Sequence, residues 1–473
     1  MTDHIFKFPS PFTKSSKKES IELYFIHKSD FDTWLKKQSK SRQTQLEQSG
    51  FEGKSKQVCK IIGANGEIDC FVAGLSDPVH HLDSAPLFLS IRNNFDPEYI
   101  KNHVFEIKSD HEEDVLNKIC IGWGLAAYNF DYYKKNDKAA PVLIMPKKTG
   151  VKETTATIEA VSLLRNLINT PASDLGTDEL AETAKNLAKQ HKAKVRIIKD
   201  EDLEKKNFPM IYAVGKASPR RPQLVDMTWG NAKNPKVTIV GKGVIYDTGG
   251  LNLKPGQYMR DMKKDMGGAA HALAVAHMIM SLNLPIQLRV LLPIAENAVA
   301  GNSYRPGDIL HSRKGITVEI CDTDAEGRLV VADALTYACE DDPDLLVDFC
   351  TLTGAARVAV GYDIPAFFSN NDAFLDDLRH SSVEQDDPVW PFPLWEGYDS
   401  NLEGAVSDIK NEGTGRAGHI EAALFLQRFI DKKVNWVHLD CYAWQNSDKP
   451  GRPYGGADTG ARAIFNFIRT KFG

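Results

Sequence analysis

The sequence predicts an α/β protein in two parts. A smaller N-terminal α/β domain covers residues 1–150, and a larger domain with a mainly parallel, helix-covered sheet covers 151–473. Three observations carry this reading. At 473 residues the chain exceeds what one hydrophobic core ordinarily organises. Beyond Val195, strand-like and helix-like segments alternate, the rhythm of βαβ units. The strand Leu345–Leu352 (LLVDFCTL) is apolar almost throughout, as a strand covered on both faces must be.

The elements follow in chain order. In the first 140 or so residues, apolar runs such as Leu87–Ile91 and Val104–Ile107 alternate with turn clusters, and no chemical motif appears. The segment Gly122–Tyr133 (GWGLAAYNFDYY) reads as a small-residue helix running into aromatics, Lys134–Lys138 as a polar break, and Ala140–Met145 as a strand. Ile158, Val161, Leu164, Leu167 and Ile168 recur at helical spacing, which predicts a helix over Thr154–Leu167. It ends near Asn169-Thr170-Pro171, because a residue before proline avoids the α region. Thr177 is the expected N-cap of the next helix, with Asp178 and Glu179 in its positive first turn. Then come strands at Lys236–Val240, Ile286–Leu292, Thr317–Ile320 and Leu345–Leu352, with helices at Met266–Met280 and Val331–Ala338. This rhythm places the domain boundary near residue 150.

Composition narrows the class. Hydrophobic residues make up 42% and charged residues 26%, an ordinary globular balance. The net charge of −5 offers no basic footprint for nucleic acid, and Lys14–Lys18 (KSSKK) reads as solvated surface. No apolar stretch approaches the ~20 residues of a membrane span. The N-terminus lacks the basic-then-apolar layout of a secretory signal. The seven cysteines form no CxxC pair, so free thiols in a reducing cytoplasm are expected.

The chemistry concentrates in two glycine-flanked segments. Val240–Pro255 (VGKGVIYDTGGLNLKP) holds Lys242, Asp247 and Lys254, and continues into Asp261–Ala270 (DMKKDMGGAA) with Asp265. Cys321–Leu329 (CDTDAEGRL) holds Asp322, Asp324, Glu326 and Arg328. Both are expected beyond strand carboxyl ends, where open α/β sheets bind ligands. Gly241-Lys242-Gly243 is not a phosphate loop, because Gly243 stands where Ser or Thr is needed. Taken singly, Asp247 reads equally as a turn aspartate and Asp265 as a helix cap. The row Asp322, Asp324, Glu326 is harder to dismiss, since alternate residues of an extended chain share a side and these would repel. Together Asp247, Asp265, Asp324 and Glu326 carry four negative charges, the complement of two divalent cations. Burying them without cations forces protonation. Metal pairs roughly 3.5–4 Å apart are a recurring hydrolytic device. There is no HExxH, and His271 and His277 lie six apart on one helix, so the site is expected to be histidine-free.

These segments resemble the motifs of the leucyl (cytosol) aminopeptidase family of di-zinc metalloexopeptidases. The family signature NTDAEGRL appears with Asp322 in place of the leading Asn. Further matches are Asn169-Thr170-Pro171, Tyr304–Asp308 (YRPGD), Leu352–Ala355 (LTGA) and Trp436–Trp444 (WVHLDCYAW). The likeness spans most of residues 160–473, and earlier only GWGLAAYNFDYY shares it.

The resemblance implies release of N-terminal amino acids from peptides with a free N-terminus by the catalytic domain 151–473. One metal is expected on Asp247, Asp324 (carboxylate and main-chain carbonyl) and Glu326, the other on Lys242, Asp247, Asp265 and Glu326. The metals, Zn²⁺, Mn²⁺ or Co²⁺, are expected to polarise the scissile carbonyl and bridge a hydroxide. Lys242 must shed its proton to serve as a ligand. Lys254 is expected to stabilise the gem-diolate oxyanion, and Arg328 to hold a bicarbonate that shuttles the proton. Met262, Thr351, Gly354 and Ala457 are expected to line a pocket for Leu- or Met-sized side chains. A homohexamer in the cytoplasm is also implied. Alternatives are another two-metal hydrolase such as a phosphoesterase, or an added DNA-binding role. Asp322 either faces the metals or turns outward.

Overall fold

A computed structural model describes residues 2–413 and 415–473. The chain forms two compact units. One comprises residues 7–162 and 447–454; the other comprises 163–446, 455–473 and the N-terminal residues through Phe6. The division falls inside the long helix Val151–Asn169. No helix among the described residues is long and apolar enough to cross a membrane.

The smaller unit is built on a six-stranded sheet in the order Phe12–Thr13, Leu143–Ile144, His103–Ile107, Glu19–His27, Ile68–Leu75, Val58–Ile62. All neighbours are parallel except the last pair. Phe25, Phe71, Phe88, Phe105 and Trp123 fill its core. The Trp123 indole N–H donates to the Pro141 carbonyl at 3.0 Å, so the one polar atom of that side chain is satisfied on burial. The helix expected from Gly122 instead runs over Glu113–Ala126 and stops before the aromatics. The small residues serve close packing: a Cβ at Gly122 would lie 2.1 Å from the His81 carbonyl oxygen. Tyr132 and Tyr133 are exposed and contribute nothing to a buried stripe. The apolar run Leu87–Ile91 lies within the helix Ala85–Asn94.

The larger unit carries a nine-stranded mixed sheet in the order Trp390–Pro391, Ala366–Ser369, Trp436–Asp440, Leu345–Cys350, Lys236–Gly241, Gln287–Asn297, Gln223–Gly230, Lys194–Lys199. The ninth strand, Gly243–Asp247, pairs parallel to Gln287–Asn297. The middle of the sheet is parallel, and antiparallel pairs flank it. All six residues of Leu345–Cys350 are buried, which accounts for its unbroken apolar run. Helices Gly267–Leu282 and Glu326–Cys339 pack against the central strands.

The strand Thr317–Glu319 does not enter this sheet; it pairs with Ile309–His311 and Ile409–Lys410 in a sheet of three. Only Val318 of it is buried, too little apolar surface for a central strand. Thr177 is not the N-cap but the first helical residue, and Gly176 caps. The Gly176 N–H donates to the Glu179 carboxylate at 3.0 Å, so the acid rather than a hydroxyl satisfies the helix start.

Candidate active site

The Gly243–Asp247 strand delivers Asp247 at its carboxyl end. Gly249 and Gly250 follow with φ of 87° and 64°, a left-handed pair that folds the chain back. A Cβ at Gly249 would sit 2.4 Å from the Asn252 carbonyl oxygen, so the turn requires glycine sterically as well. Asp247 Oδ1 accepts from the Gly249 N–H and from Asn297 Nδ2, each at 2.8 Å. The returning chain places Lys254 Nζ 2.8 Å from Asp247 Oδ2 and 2.5 Å from Asp324 Oδ1.

Lys242 sits between two adjacent strand segments, its backbone N–H donating to the Phe349 carbonyl at 3.0 Å. Its Nζ donates to the Thr351 carbonyl at 3.0 Å and lies 2.6 Å from Asp265 Oδ2 and 2.9 Å from Glu326 Oε1. Asp265 belongs to the 3₁₀ turn Met262–Met266 ahead of the helix Gly267–Leu282, and its Oδ1 accepts from the Thr351 hydroxyl at 2.8 Å. Glu326 is the first residue of its helix. The acidic segment is therefore not the extended row expected from sequence. Asp322 Oδ1 accepts the Asp324 N–H at 2.8 Å, a tight side-chain turn, and Tyr304 and Asn297 pin the Thr323 carbonyl at 2.7 and 3.0 Å.

The electrostatics are those of a crowded, dry cluster. Burial, and then Asp247, push Glu326 well above the usual carboxylate range. Burial and Asp247 likewise push Asp324 up to about 7. Burial opposes the charge on Lys242, but Asp265, Glu326 and Asp247 outweigh it and hold the ammonium well above its ordinary range. Asp247, Asp265 and Glu326 each offer an oxygen within 4.8 Å of the others, all three buried. Asp265 Oδ2, Asp324 Oδ1 and Glu326 Oε1 lie against ammonium nitrogens yet accept no well-directed hydrogen bond among the described residues. Convergent, buried, under-satisfied carboxylate oxygens fit divalent cations. Asp348, Cys350 and His438 also converge. There the carboxylate is consumed by His438 Nδ1 at 2.6 Å and Trp436 Nε1 at 2.7 Å, an internal tie between strands.

A cleft of about 340 Å³ opens on the cluster, lined by Lys242, Asp247, Lys254, Asp265, Met262, Thr351 and Gly354. Ala457 does not line it; its N–H donates to the Ala443 carbonyl at 3.1 Å in a neighbouring hairpin. The same wall carries Tyr442, Lys264 and Arg357, which sequence reasoning passed over, although Tyr442 lies within WVHLDCYAW. Arg328 lines an adjoining hollow that shares Asp324 and Gly354 with the cleft. Its Nη1 donates to the Asn411 carbonyl at 2.5 Å, its Nε is buried without an acceptor among the described residues, and burial holds its pKa below the usual guanidinium range.

The catalytic-domain profile of the cytosol aminopeptidase family matches residues 162–465, and the M17 aminopeptidase N-terminal domain profile matches residues 21–146. The chain belongs to the cytosol aminopeptidase family. This family member is 34% identical to a Chlamydia caviae protein named "Probable cytosol aminopeptidase", over 96% of its own length and 92% of the relative's. Its fold overlays the crystal structure of the cytosol aminopeptidase from Coxiella burnetii with a TM-score of 0.90, at 41% identity, covering 98% and 100% of the two chains. It overlays the bottromycin maturation enzyme BotP, solved in complex with Mn, with a TM-score of 0.86 at 28% identity, covering 96% and 99%. As a cytosol aminopeptidase-family enzyme it is a metal-dependent hydrolase that removes residues from peptide N-termini.

Proposed function

We propose that this aminopeptidase works through two divalent cations, Zn²⁺, Mn²⁺ or Co²⁺, and favours N-terminal Leu and similar apolar residues. The observation that carries the reading is the convergence of Asp247, Asp265 and Glu326 oxygens within 4.8 Å, with Lys242 and Asp324 beside them. In this assignment Asp247, Asp324 and Glu326 hold one cation, and Lys242, Asp247, Asp265 and Glu326 hold the other. Lys242 coordinates as the neutral amine, because a dication at that place reverses the potential that otherwise keeps it protonated. The cations supply Lewis acidity toward the scissile carbonyl and lower the pKa of water.

The chain's own groups do the rest. Lys254, which lines the cleft beside Asp247 and Asp324, would donate to the carbonyl oxygen as it gains charge. A contribution of about 3 kcal/mol is typical of such a donor. Met262, Thr351 and Gly354 seat the N-terminal side chain. Arg328, which lines the adjoining hollow, holds bicarbonate, a base for the proton released on attack. A cytoplasmic homohexamer completes the proposal.

The test is hydrolysis of Leu-p-nitroanilide by metal-stripped protein before and after adding Zn²⁺ or Mn²⁺, with N-acetyl-Leu-p-nitroanilide as control. Metal-dependent release from the free-amine substrate alone is expected. Glu326→Ala should lose activity by more than a hundredfold with its circular dichroism unchanged, since one substitution removes a ligand shared by both cations. Full activity in that variant would refute the two-metal assignment.

A further inference from the structure

The acids and bases of the cleft do not pair off evenly. Lys242 faces Asp265 and Glu326, and Lys254 faces Asp247 and Asp324. That leaves Lys264 and Arg357 lining the same cleft, and neither has a carboxylate in ion-pair range among the described residues. Lys264 is only 5% exposed, and its Nζ makes no hydrogen bond among those residues. It lies 4.8 Å from the centroid of the Tyr442 ring. Arg357 Cζ lies 5.5 Å from the centroid of the same ring. A cation–π contact contributes about 0.5–2 kcal/mol, less than the cost of desolvating an ammonium without an anion.

Position sharpens the point. Arg357 is three residues beyond Gly354 on the helix Gly354–Val360, and its Nη2 lies 3.9 Å from where a Gly354 Cβ would stand. Gly354 presents no side chain, so the guanidinium borders the cleft beside Met262 and Thr351. The cleft also holds a fifth acid, Asp322, but it lies in ion-pair range of neither group among the described residues, so Lys264, buried, and Arg357, half-buried, stay without a carboxylate partner.

We infer that, beyond the apolar side chains seated by Met262, Thr351 and Gly354, the cleft accepts a second class of substrate, in which Arg357 and Lys264 recognise the carboxylate of an N-terminal Glu or Asp side chain. The planar guanidinium suits a carboxylate, and the Lys264 amino group gives a second donor. The inference rests on the reading of the cleft as the seat of the N-terminal residue. The same chemistry is available from the C-terminal carboxylate of a dipeptide, and the experiment separates the two sources.

The experiment compares kcat/KM for Glu- and Gln-p-nitroanilide, isosteres differing in charge, and for Leu-Gly and Leu-Gly-amide. Wild type, Arg357→Gln and Lys264→Met are each loaded with Mn²⁺. A charge-assisted hydrogen bond predicts a Glu-over-Gln ratio of about tenfold or more in wild type, falling toward one in Arg357→Gln. If the lost preference is instead that of Leu-Gly over its amide, the recognised group is the dipeptide terminus and the side-chain assignment falls. Ratios near one in wild type, or ratios unchanged in both variants, overturn the proposal. Absence of all hydrolysis would count against the aminopeptidase reading, and calorimetric titration with L-glutamate and L-glutamine then decides the subsite alone. Tighter glutamate binding, lost in Arg357→Gln, upholds it; equal binding overturns it.

Discussion

Arg328 is a buried cation with one hydrogen bond, to a backbone carbonyl, and an Nε that meets no acceptor among the described residues. Burial of this kind is ordinarily compensated by an anion. Glu412 and Glu421 line the same hollow, but neither is in ion-pair range of Arg328 among the described residues. Arg328→Ala should therefore leave metal content intact while lowering kcat by about a hundredfold, the usual scale for losing a positioned base. Added bicarbonate should restore part of the rate. Metal content by emission spectrometry beside a bicarbonate titration of kcat checks both halves, and loss of metal in the variant would assign Arg328 to holding the acids instead. Asp322 illustrates a simpler answer at the same scale. Its Oδ1 accepts the Asp324 N–H, a bond that an Asn Oδ1 can also accept, while the residue itself lines the cleft.

The catalytic elements approach one another more closely than side chains allow. The helix beginning at Gly267 runs so near the central strands that a Cβ at Gly268 would lie 2.1 Å from the Phe349 carbonyl and 2.7 Å from the Lys242 nitrogen. Gly268→Ala must move the helix start, and Asp265 with it. We expect a loss of about 3 kcal/mol, read as a lower urea midpoint, together with weaker metal binding. Gly256→Ala, with nothing within 4 Å of the added carbon, is the matched control and should leave the midpoint unchanged. This scale also shows what pattern reading can reach. Leu345–Cys350 was legible because burial on both faces leaves an unbroken apolar run. Thr317–Glu319 was legible as a strand but not as to its sheet, because three residues with one buried side chain carry no information on partners. The end of the Glu113–Ala126 helix was hidden because its glycines answer to contacts far away in sequence, Gly122 to His81 and Gly124 to Ile158.

Across the whole molecule, the legible part of the site is the part carried by short local motifs. Asp247, Asp265, Asp324 and Glu326 fall within these motifs and charge counting suggested that they meet, while the family resemblance added Lys242 and Lys254. Arg357 comes from the helix Gly354–Val360, Tyr442 from just past the strand Trp436–Asp440, and Ala457 lies in a hairpin apart from the cleft, so no local pattern could rank them. The assembled cluster bears on stability as well. Four carboxylates face two ammonium groups, and the two acids whose pKa is pushed up most mark the strain of holding them together. Cations at a thousandfold excess over their Kd stabilise the fold by about 4 kcal/mol. Chelation should thus lower the Tm by several degrees, with recovery on adding Mn²⁺; an unchanged Tm by scanning calorimetry would mean that the acids hold no metal. One further detail extends beyond this chain. A Cβ at Gly327 would lie 2.5 Å from Lys242 Nζ, so that single hydrogen atom on Gly327 keeps open the path of the lysine stem. Gly327 is thus a diagnostic for reading relatives: a homologue with alanine there must have re-routed or abandoned its lysine ligand, whatever the rest of its signature suggests.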